Sequence, residues 1–233
     1  MESSRIAFER LLYDRLIPEF CSDPKRRCEP STFDRASVRV RESDAADFLR
    51  AWNAGLFEHR GRGLYRSATS TVSEQFFWTG RNLPGARSFK LWLEPVITVA
   101  AFARLHFDYG WPHHLISTQS VDWAFDLVAR LPDREHEFVA GEIKKTEAEI
   151  DQLLVLMKEF GRNPNLPVPA SGKARNAYKK VLALRRRQAP VFWAIGPGGF
   201  SKVHAVEYGA DGAIDLAEGP HALRFESHQV APS

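Results

Sequence analysis

Three side chains that could do chemistry together, Asp126, Glu142 and Lys144, lie inside the apolar runs of one segment, residues 123–146. Charged groups rarely enter a buried strand unless they are paired or bind a metal. Two close carboxylates can hold Mg²⁺ or Mn²⁺, and a lysine beside them can orient or activate a water molecule. These residue types and their spacing therefore indicate hydrolysis assisted by a divalent cation.

The elements that must position this trio are two strands and the turn between them. The apolar runs over 123–130 and 137–145 have lengths typical of strands, and they flank the polar turn 132–134. A β-hairpin is the simplest structure for that pattern. Residues two apart share one face of a strand, so Glu142 and Lys144 are expected to point the same way.

The register of the hairpin decides which acid faces Glu142. A turn centred near Arg134 sets Asp126 directly across from it, whereas a turn centred on residues 132–133 brings Asp122 there instead. The spacing alone leaves both first acids open.

A purely structural interpretation of the same trio also exists. Asp126 could pair with Lys144, and Glu142 with Lys145 or an arginine, which would make an inert, salt-bridged hairpin.

Composition sets wide limits on the rest. The chain has 233 residues, of which 44% are hydrophobic, so it can bury a substantial core. Its net charge of +3 is too small to argue for nucleic acid by itself. The first fifteen residues lack the apolar core of a signal peptide, and no apolar stretch is long enough to span a bilayer. We therefore expect a cytoplasmic protein with no membrane partner.

The N-terminal third contains mostly helical patterns. Apolar spacing predicts helices over 4–16 and 44–57, and alternation predicts an edge strand over 37–41. Thr71, followed three residues later by Glu74, has the pattern of a capping box, so a further short helix is expected to begin there.

The remaining elements follow in an ordered series. An apolar helix is expected over 88–109, beginning or bending at Pro95, and it precedes a strand over 113–120 and the hairpin. Thr146 and Glu149 form a capping box for the next helix, which should end at Gly161. The last predicted elements are a helix over 173–187 and strands over 191–195 and 202–208.

The order helix, three strands, helix, strand, with Asp126 before the turn and Glu142-Ile143-Lys144 at the end of a strand, resembles the PD-(D/E)XK nuclease superfamily. The resemblance covers roughly residues 88–208. It implies an α/β (α+β) fold with a restriction-endonuclease-like α-β-β-β-α-β core, in which helices flank a mixed central sheet. Phe125 stands before Asp126 where many members have proline, a position that varies within the superfamily.

The resemblance also assigns roles to residues. It implies Mg²⁺ or Mn²⁺ as cofactor, with Asp126, Glu142 and the backbone carbonyl of Ile143 as ligands and Lys144 beside the attacking water. It favours Asp126 over Asp122, because Leu127 and Val128 follow Asp126 as the family pattern leads one to expect. Glu94 resembles the acidic residue that many members carry on the first core helix, although a glutamate at a helix start can also simply favour the helix dipole. Gln152 could approach the site from the helix after the hairpin, but a solvated glutamine explains it more simply.

The helix over 173–187 carries seven basic residues and no acidic one. Such a helix suits a surface that follows a phosphate backbone, and a solvated face explains it about equally well. The residues that would contact nucleic acid are Lys173, Arg175, Lys179, Lys180 and Arg186.

These patterns together predict a hydrolase, a metal-dependent nuclease that cleaves DNA, or RNA as the second choice. The alternative is a catalytically inactive protein of the same fold that binds nucleic acid or a protein partner. Residues 1–87 are expected to form an N-terminal extension, packed on or beside a core of residues 88–233 that includes the C-terminal strands. The sequence leaves the oligomeric state open, with a dimer among the options.

Overall fold

The computed structural model describes residues 2–70, 72–81, 85–132 and 136–225, and within them the chain is a mixed α and β protein with six α-helices and twelve strands. The helices are α1 (Ser4–Leu11), α2 (Ile17–Cys21), α3 (Glu42–Asn53), α4 (Leu93–Phe107), α5 (Glu147–Arg162) and α6 (Gly172–Arg187), with a π-helical turn (Leu12–Leu16) between the first two. The strands are β1 (Phe33–Asp34), β2 (Phe57–His59), β3 (Leu64–Ser67), β4 (Glu74–Gln75), β5 (Phe77–Thr79), β6 (Phe89–Leu91), β7 (Ile116–Thr118), β8 (Leu127–Ala129), β9 (Val139–Ile143), β10 (Val191–Ile195), β11 (Ser201–Tyr208) and β12 (Ile214–Glu218). Short 3₁₀ turns lie at Pro24–Arg26, Pro30–Thr32, Arg35–Ser37, His113–Leu115, Pro197–Gly199 and Pro220–Leu223.

The main sheet has six strands in the order β12-β11-β10-β9-β8-β7. Strands β9 and β10 are parallel, and the other neighbours are antiparallel. A parallel pair requires a long crossover, which α5 and α6 supply here. Every residue of β8, β9 and β10 is buried, which explains why these strands are almost continuously apolar in sequence.

Helices cover both faces of this sheet, because successive side chains of a strand point to opposite sides. Leu127, Val139 and Trp193 belong to the core shared with α4 and the N-terminal region. Val128 follows Leu127 and Ala140 follows Val139, so both point to the opposite face, where they pack under α5 and α6. The sheet therefore separates two hydrophobic clusters, and any charged side chain in its central strands must reach a buried partner.

Helix α5 follows directly from its sequence signals. Thr146 accepts a hydrogen bond from the Glu149 backbone N–H at 3.2 Å, and its hydroxyl donates to the Glu149 carboxylate at 3.2 Å. Ile150, Leu153 and Met157 follow at helical spacing and are buried. The predictions for α5, for α6 and for strands β10 and β11 are confirmed to within one residue at each end.

The N-terminal region packs against α4 through α3. Phe8 meets Phe48 of α3 edge to face, with ring centroids 5.1 Å apart, inside the core that α4 shares. Arg104 of α4 is held by two acids of α3, with Nη2 2.5 Å from Asp44 Oδ1 and Nε 2.6 Å from Asp47 Oδ2. A breakage of these buried ion pairs would leave unpaired charge inside the protein, so they fix α3 on α4.

The same region also covers the outer edge of the main sheet at β7. Thr69 Oγ1 donates to the Ile116 carbonyl at 2.6 Å and Ser70 Oγ to the Thr118 carbonyl at 2.7 Å. The Thr118 N–H donates to Ser67 Oγ at 3.2 Å. Side-chain hydroxyls therefore satisfy backbone groups that an edge strand otherwise leaves open.

Two sequence predictions for this region are wrong. Residues 37–41 form no strand, because the Ser37 hydroxyl accepts the Leu91 N–H at 2.9 Å and the chain turns there. The short helix expected from the capping box does not form. Thr71 lies outside the described residues, and Glu74 begins β4. Pairing of β5 with β6 outweighs the local helical signal, as tertiary contacts commonly do.

The apolar helix expected over 88–109 is shorter than predicted. Its first residues form β6, and α4 begins at Leu93, so Pro95 occupies the third helical position. Proline is tolerated there because the first N–H groups of a helix have no partner within it. No helix in the described stretches is both long enough and apolar enough to cross a membrane.

Candidate active site

The register of β8 and β9 brings Asp126 beside Glu142. Leu127, the first residue of β8, pairs with Gly141 of β9. Asp126 directly precedes Leu127 and Glu142 directly follows Gly141, so the two acids face one another at this end of the strand pair. The Asp126 N–H donates to the Gly141 carbonyl at 3.0 Å, and Asp126 Oδ2 accepts the Ile143 N–H at 2.9 Å. A Cβ at Gly141 would lie 3.0 Å from the Leu127 carbonyl oxygen, so glycine permits this close approach. The turn residues Asp133 and Arg134 lie outside the described residues, but the strands themselves set the register.

Asp122, the alternative first acid, lies elsewhere. Its carboxylate accepts hydrogen bonds from Ser120 Oγ and the Ala124 N–H, each at 3.1 Å, and pairs with Arg186 and Arg187. Burial raises the pKa of Asp122, but Arg187 and the Ala124 N–H outweigh it and leave the pKa below its usual value. Asp122 therefore holds the loop before β8 to α6 and does not face Glu142.

Glu142 lies between two lysines and is only 2% exposed. Lys144 Nζ donates to its Oε1 at 2.5 Å, and Lys180 Nζ of α6 lies 2.5 Å from its Oε2, an ion pair without regular hydrogen-bond geometry. Burial, followed by the charge of Asp126, raises the pKa of Glu142 to about 7, although both lysines oppose the shift. The inert hairpin considered from the sequence paired Glu142 with Lys145 or an arginine, and neither is its partner here.

Lys144 is held as a cation. Burial alone would lower its pKa, but the charge and hydrogen bond of Glu142, followed by the charges of Asp126 and Glu94, raise the pKa above its usual value. Its Nζ also donates to the Ile143 carbonyl at 3.0 Å, the oxygen expected to bind metal. In this geometry Lys144 can donate hydrogen bonds and offset negative charge, but it cannot accept a proton near neutral pH.

Glu94 lies in the first turn of α4, at the mouth of the site. Its Oε2 accepts a hydrogen bond from Trp92 Nε1 at 2.7 Å, and its Oε1 lies 4.0 Å from Lys145 Nζ. Glu94 lines a cavity of about 160 Å³ together with Lys144 and Gln152. This location is compatible with the role suggested for Glu94, which stays a prediction. Gln152 also lines the cavity, and it is exposed to solvent, as the simpler expectation for this residue had it.

A second, smaller cavity of about 40 Å³ holds residues that the sequence did not indicate. Glu74 of β4 and Gln119 line it with Asp126 and Tyr65, and Glu94 lines both cavities. Burial, and then the charge of Asp126, raises the pKa of Glu74 to about 7. Glu74 Oε1 and Gln119 Oε1 are buried, and neither accepts a hydrogen bond from the described part of the chain. Gln119 also adopts φ 73°, a backbone strain that persists only where the surroundings enforce it.

No local signal marks these additional residues. Glu74 had a sufficient explanation as the partner of Thr71 in a capping box, and Gln119 follows a strand as an ordinary loop residue. Lys180 was grouped with the surface cations of α6, yet it is 6% exposed and donates to the Ala124 carbonyl at 2.6 Å. Only the packing of β4 and α6 against the sheet brings Glu74 and Lys180 to the site.

The other basic residues of α6 have separate locations. Lys173 lines the 160 Å³ cavity and donates to Gln152 Oε1 at 2.6 Å, whereas Arg175 donates to the Pro169 carbonyl at 2.9 Å. Lys179 and Arg186 line a groove of about 390 Å³ on the outer side of the helix. The contacts of these four side chains do not test the predicted binding of nucleic acid.

The donor set is compatible with a hard divalent cation. Asp126 and Glu142 supply carboxylates, and the orphaned oxygens of Glu74 and Gln119 are hard donors in a buried setting. Among the described residues no three His, Cys, Asp or Glu side chains already converge as metal ligands. Mg²⁺ commonly needs only one or two carboxylates, with water and substrate phosphate completing its shell, so the two paired acids fit it.

No protein-family model, curated protein or solved structure matches this chain. The case for an activity therefore depends on the geometry of these residues. That geometry combines a buried acid, Glu142, with a partly buried acid, Asp126, a charged lysine just after the same strand and a cavity that opens beside them.

Proposed function

We propose that this protein is a metal-dependent nuclease of the PD-(D/E)XK type that hydrolyses phosphodiester bonds of DNA, with RNA as the second choice. The observation that carries the proposal is the register that sets Asp126 opposite Glu142, with Lys144 Nζ 2.5 Å from Glu142 Oε1. The elements follow one another in the order α4, β7, β8, β9, α5, α6, β10. This order supports a restriction-endonuclease-like core that has a second helix, α6, inserted before β10.

Asp126 and Glu142 would hold Mg²⁺ or Mn²⁺, and the Ile143 carbonyl could join them if Lys144 Nζ moves off that oxygen. The cation would offset charge on the phosphate and favour deprotonation of a bound water. Lys144 donates hydrogen bonds, so in this proposal it orients the attacking water and stabilises the charge that develops on the phosphate. Glu94 lies at the mouth of the same cavity and is proposed to position that water.

The nucleic acid would approach along α6. Lys179 and Arg186 line the groove outside the helix, and Lys173 lines the site cavity itself. A cytoplasmic site of action is part of the proposal, and the two free thiols, Cys21 and Cys28, suit a reducing compartment.

The test is cleavage of plasmid and oligonucleotide DNA by the purified protein in Mg²⁺ or Mn²⁺. The expected result is nicking or degradation that EDTA stops and that Lys144→Ala abolishes. Lys202→Ala is the matched control, because Lys202 also pairs with an acid, Asp151 at 2.6 Å, but both side chains are exposed and neither lines the two cavities of the site. Equal cleavage by the wild type and Lys144→Ala would contradict the proposed active site.

One observation favours a second candidate, a nuclease-fold protein that binds nucleic acid or a protein partner without cutting. Glu142 already has two lysine partners, and two cations can neutralise a carboxylate without a metal. In that case the protein would bind DNA with a steep salt dependence but would cut no form tested in Mg²⁺ or Mn²⁺. Its affinity for DNA would also be unchanged by either metal.

A further inference from the structure

A wide groove runs between the N-terminal region and the start of α4, with a volume of about 620 Å³. Two tryptophans on its wall stand out, because Trp78 is 51% exposed and Trp92 is 36% exposed. Two aromatic neighbours, Phe77 next to Trp78 on β5 and Phe89 on β6 just before Trp92, are almost fully buried. Exposed tryptophans in a concave surface commonly mark a place where a ligand binds.

Both indole rings are held in place. Trp78 of β5 pairs with Lys90 of β6, whose ammonium lies 5.0 Å from the centre of the indole ring. Trp92 donates from Nε1 to Glu94 at 2.7 Å, and its own N–H donates to the Phe76 carbonyl at 2.8 Å. A ring that is already positioned loses little conformational entropy when a flat ligand stacks on it.

The groove is continuous with the candidate active site. Glu94 and Glu149 line both the groove and the 160 Å³ cavity that contains Lys144. Asn176 connects that cavity to the 390 Å³ groove along α6, where Trp123 is 62% exposed. An extended ligand could therefore pass the site with an exposed indole ring on either side.

Charge distinguishes the two ends of this path. The α6 groove contains three cations and one acid, whereas the N-terminal groove contains three cations and three acids. The balanced charge of the N-terminal groove gives little attraction to phosphates of either a duplex or a single strand, so its exposed indole rings are the feature that can bind nucleic acid. Unpaired bases can instead stack on aromatic side chains, and this contact depends little on base identity.

We propose that the groove walled by Trp78 and Trp92 binds unpaired bases of the nucleic-acid strand next to the cleaved phosphate. This inference rests on the proposed function and names its substrate class, single-stranded or locally unpaired nucleic acid. Trp78 and Trp92 stack the bases, while Lys90 offsets the charge of a neighbouring phosphate.

The test measures fluorescence anisotropy of a labelled 20-nucleotide oligo-dT strand and of a labelled 20-base-pair duplex, in EDTA so that no cleavage occurs. Trp78→Ala and Trp92→Leu should each weaken single-strand binding about 5- to 150-fold, the range expected for the loss of one base stack. Duplex binding should change by less than about threefold, since paired bases do not reach the rings. Trp78→Phe and Trp92→Phe keep an aromatic face and should retain most of the single-strand affinity.

The matched control is Phe107→Ala, because Phe107 is also exposed and also has a cation over its ring, Arg50 at 4.6 Å, but it lines none of these cavities. Thermal melting checks that every variant is folded. The inference is wrong if both tryptophan variants bind the single strand as tightly as the wild type does. It is also wrong if they lose affinity equally for the single strand and the duplex, or if the wild type binds no oligonucleotide.

Cleavage assays run in parallel keep the two proposals distinguishable. If the wild type cuts DNA and the tryptophan variants bind and cut like it, the groove assignment fails and the nuclease proposal stands. If single-strand binding depends on the tryptophans but no metal supports cleavage, the groove assignment is confirmed and the proposal of nuclease activity is wrong.

Discussion

Two clusters of buried charge in this protein differ in how completely their oxygens are bonded. In the cluster between α3 and α4, both oxygens of Asp44 accept hydrogen bonds, from Arg104 and from the Gly198 N–H at 2.5 Å. Both oxygens of Asp47 are bonded as well, by Arg104 and Arg50. In the cluster at the candidate active site, two buried carboxylate oxygens, one each on Glu74 and Glu142, lack a regular hydrogen bond from the described residues.

Electrostatics follow the same division. Burial lowers the pKa of Arg104, but the bonds and charges of Asp47 and Asp44 outweigh it and raise the pKa above its usual value. At the candidate active site, burial and then the nearby charge of Asp126 raise the pKa of Glu142 and of Glu74 to about 7. The fully bonded carboxylates of Asp44 and Asp47 hold α3 to α4, and the one buried atom there without a hydrogen bond from the described residues is a donor, Arg104 Nη1. The oxygens of Glu74 and Glu142 that lack a regular hydrogen bond are acceptors, which a cation or substrate can use.

The largest expected effect comes from Glu142→Gln. The substitution keeps the shape of the side chain but removes the charge that would bind the metal, so DNA cleavage should fall at least about 10³-fold. Glu137→Gln is the matched control, since Glu137 is also buried near β9 but is paired with Arg130 and Arg187. Similar cleavage rates in wild type and Glu142→Gln, measured at a temperature where both are folded, would contradict the assignment.

Asp44→Ala should have the opposite profile. It leaves Arg104 and the Gly198 N–H without their partner, so the free energy of unfolding should fall by about 3–5 kcal/mol in urea denaturation. The folded fraction should still cleave DNA and should still be stabilised by Mn²⁺ in thermal melting. A loss of the Mn²⁺ response with little loss of stability would show that the two clusters are not separate in function.

The pH dependence of stability without metal tests the strain at Glu142. Its pKa is about 7 in the folded chain against 4.5 for an unperturbed glutamate, so the folded chain binds an extra proton between these values. The free energy of unfolding in EDTA should therefore decrease as the pH rises from about 4.5 to 7, by about 3 kcal/mol for this group, and then level off. Glu142→Gln should remove about half of the measured decrease, because Glu74, whose pKa is also raised to about 7, contributes a similar amount. A wild type with flat or rising stability over the range would contradict the raised pKa of Glu142.

The smallest effect is expected for Asp47→Ala. Asp47 is less buried than Asp44, with 13% of its side chain exposed, and solvent can partly replace its hydrogen bonds. The free energy of unfolding should fall by about 2 kcal/mol. If Asp47→Ala loses as much stability as Asp44→Ala in the same denaturation experiment, burial does not determine how much each acid of this cluster contributes to stability.

The sequence predicted well the parts of the fold that depend on local pattern. Strand periodicity put Glu142 and Lys144 on one side, and the cap at Thr146 located α5, because both signals act over a few residues. The turn register left both Asp126 and Asp122 open, and it is the pairing of β8 with β9 that brings Asp126 to Glu142. The sequence failed where distant residues decide the structure. Phe33 pairs with Phe89 in a small sheet that no local signal marks, and Glu74 reaches the site only through that packing of the N-terminal region.

The hydroxyl groups of Ser67, Thr69 and Ser70 on the outer side of β7 have a consequence for self-association. An uncovered edge strand offers its backbone N–H and C=O groups to any other strand, including one from a second copy of the same protein. These three side chains occupy the Ile116 carbonyl and both backbone groups of Thr118. The N-terminal region thus blocks pairing of β7 with another strand. A truncated chain of residues 88–233 would expose the unpaired edge of β7 and the apolar face of α4, and we expect it to aggregate.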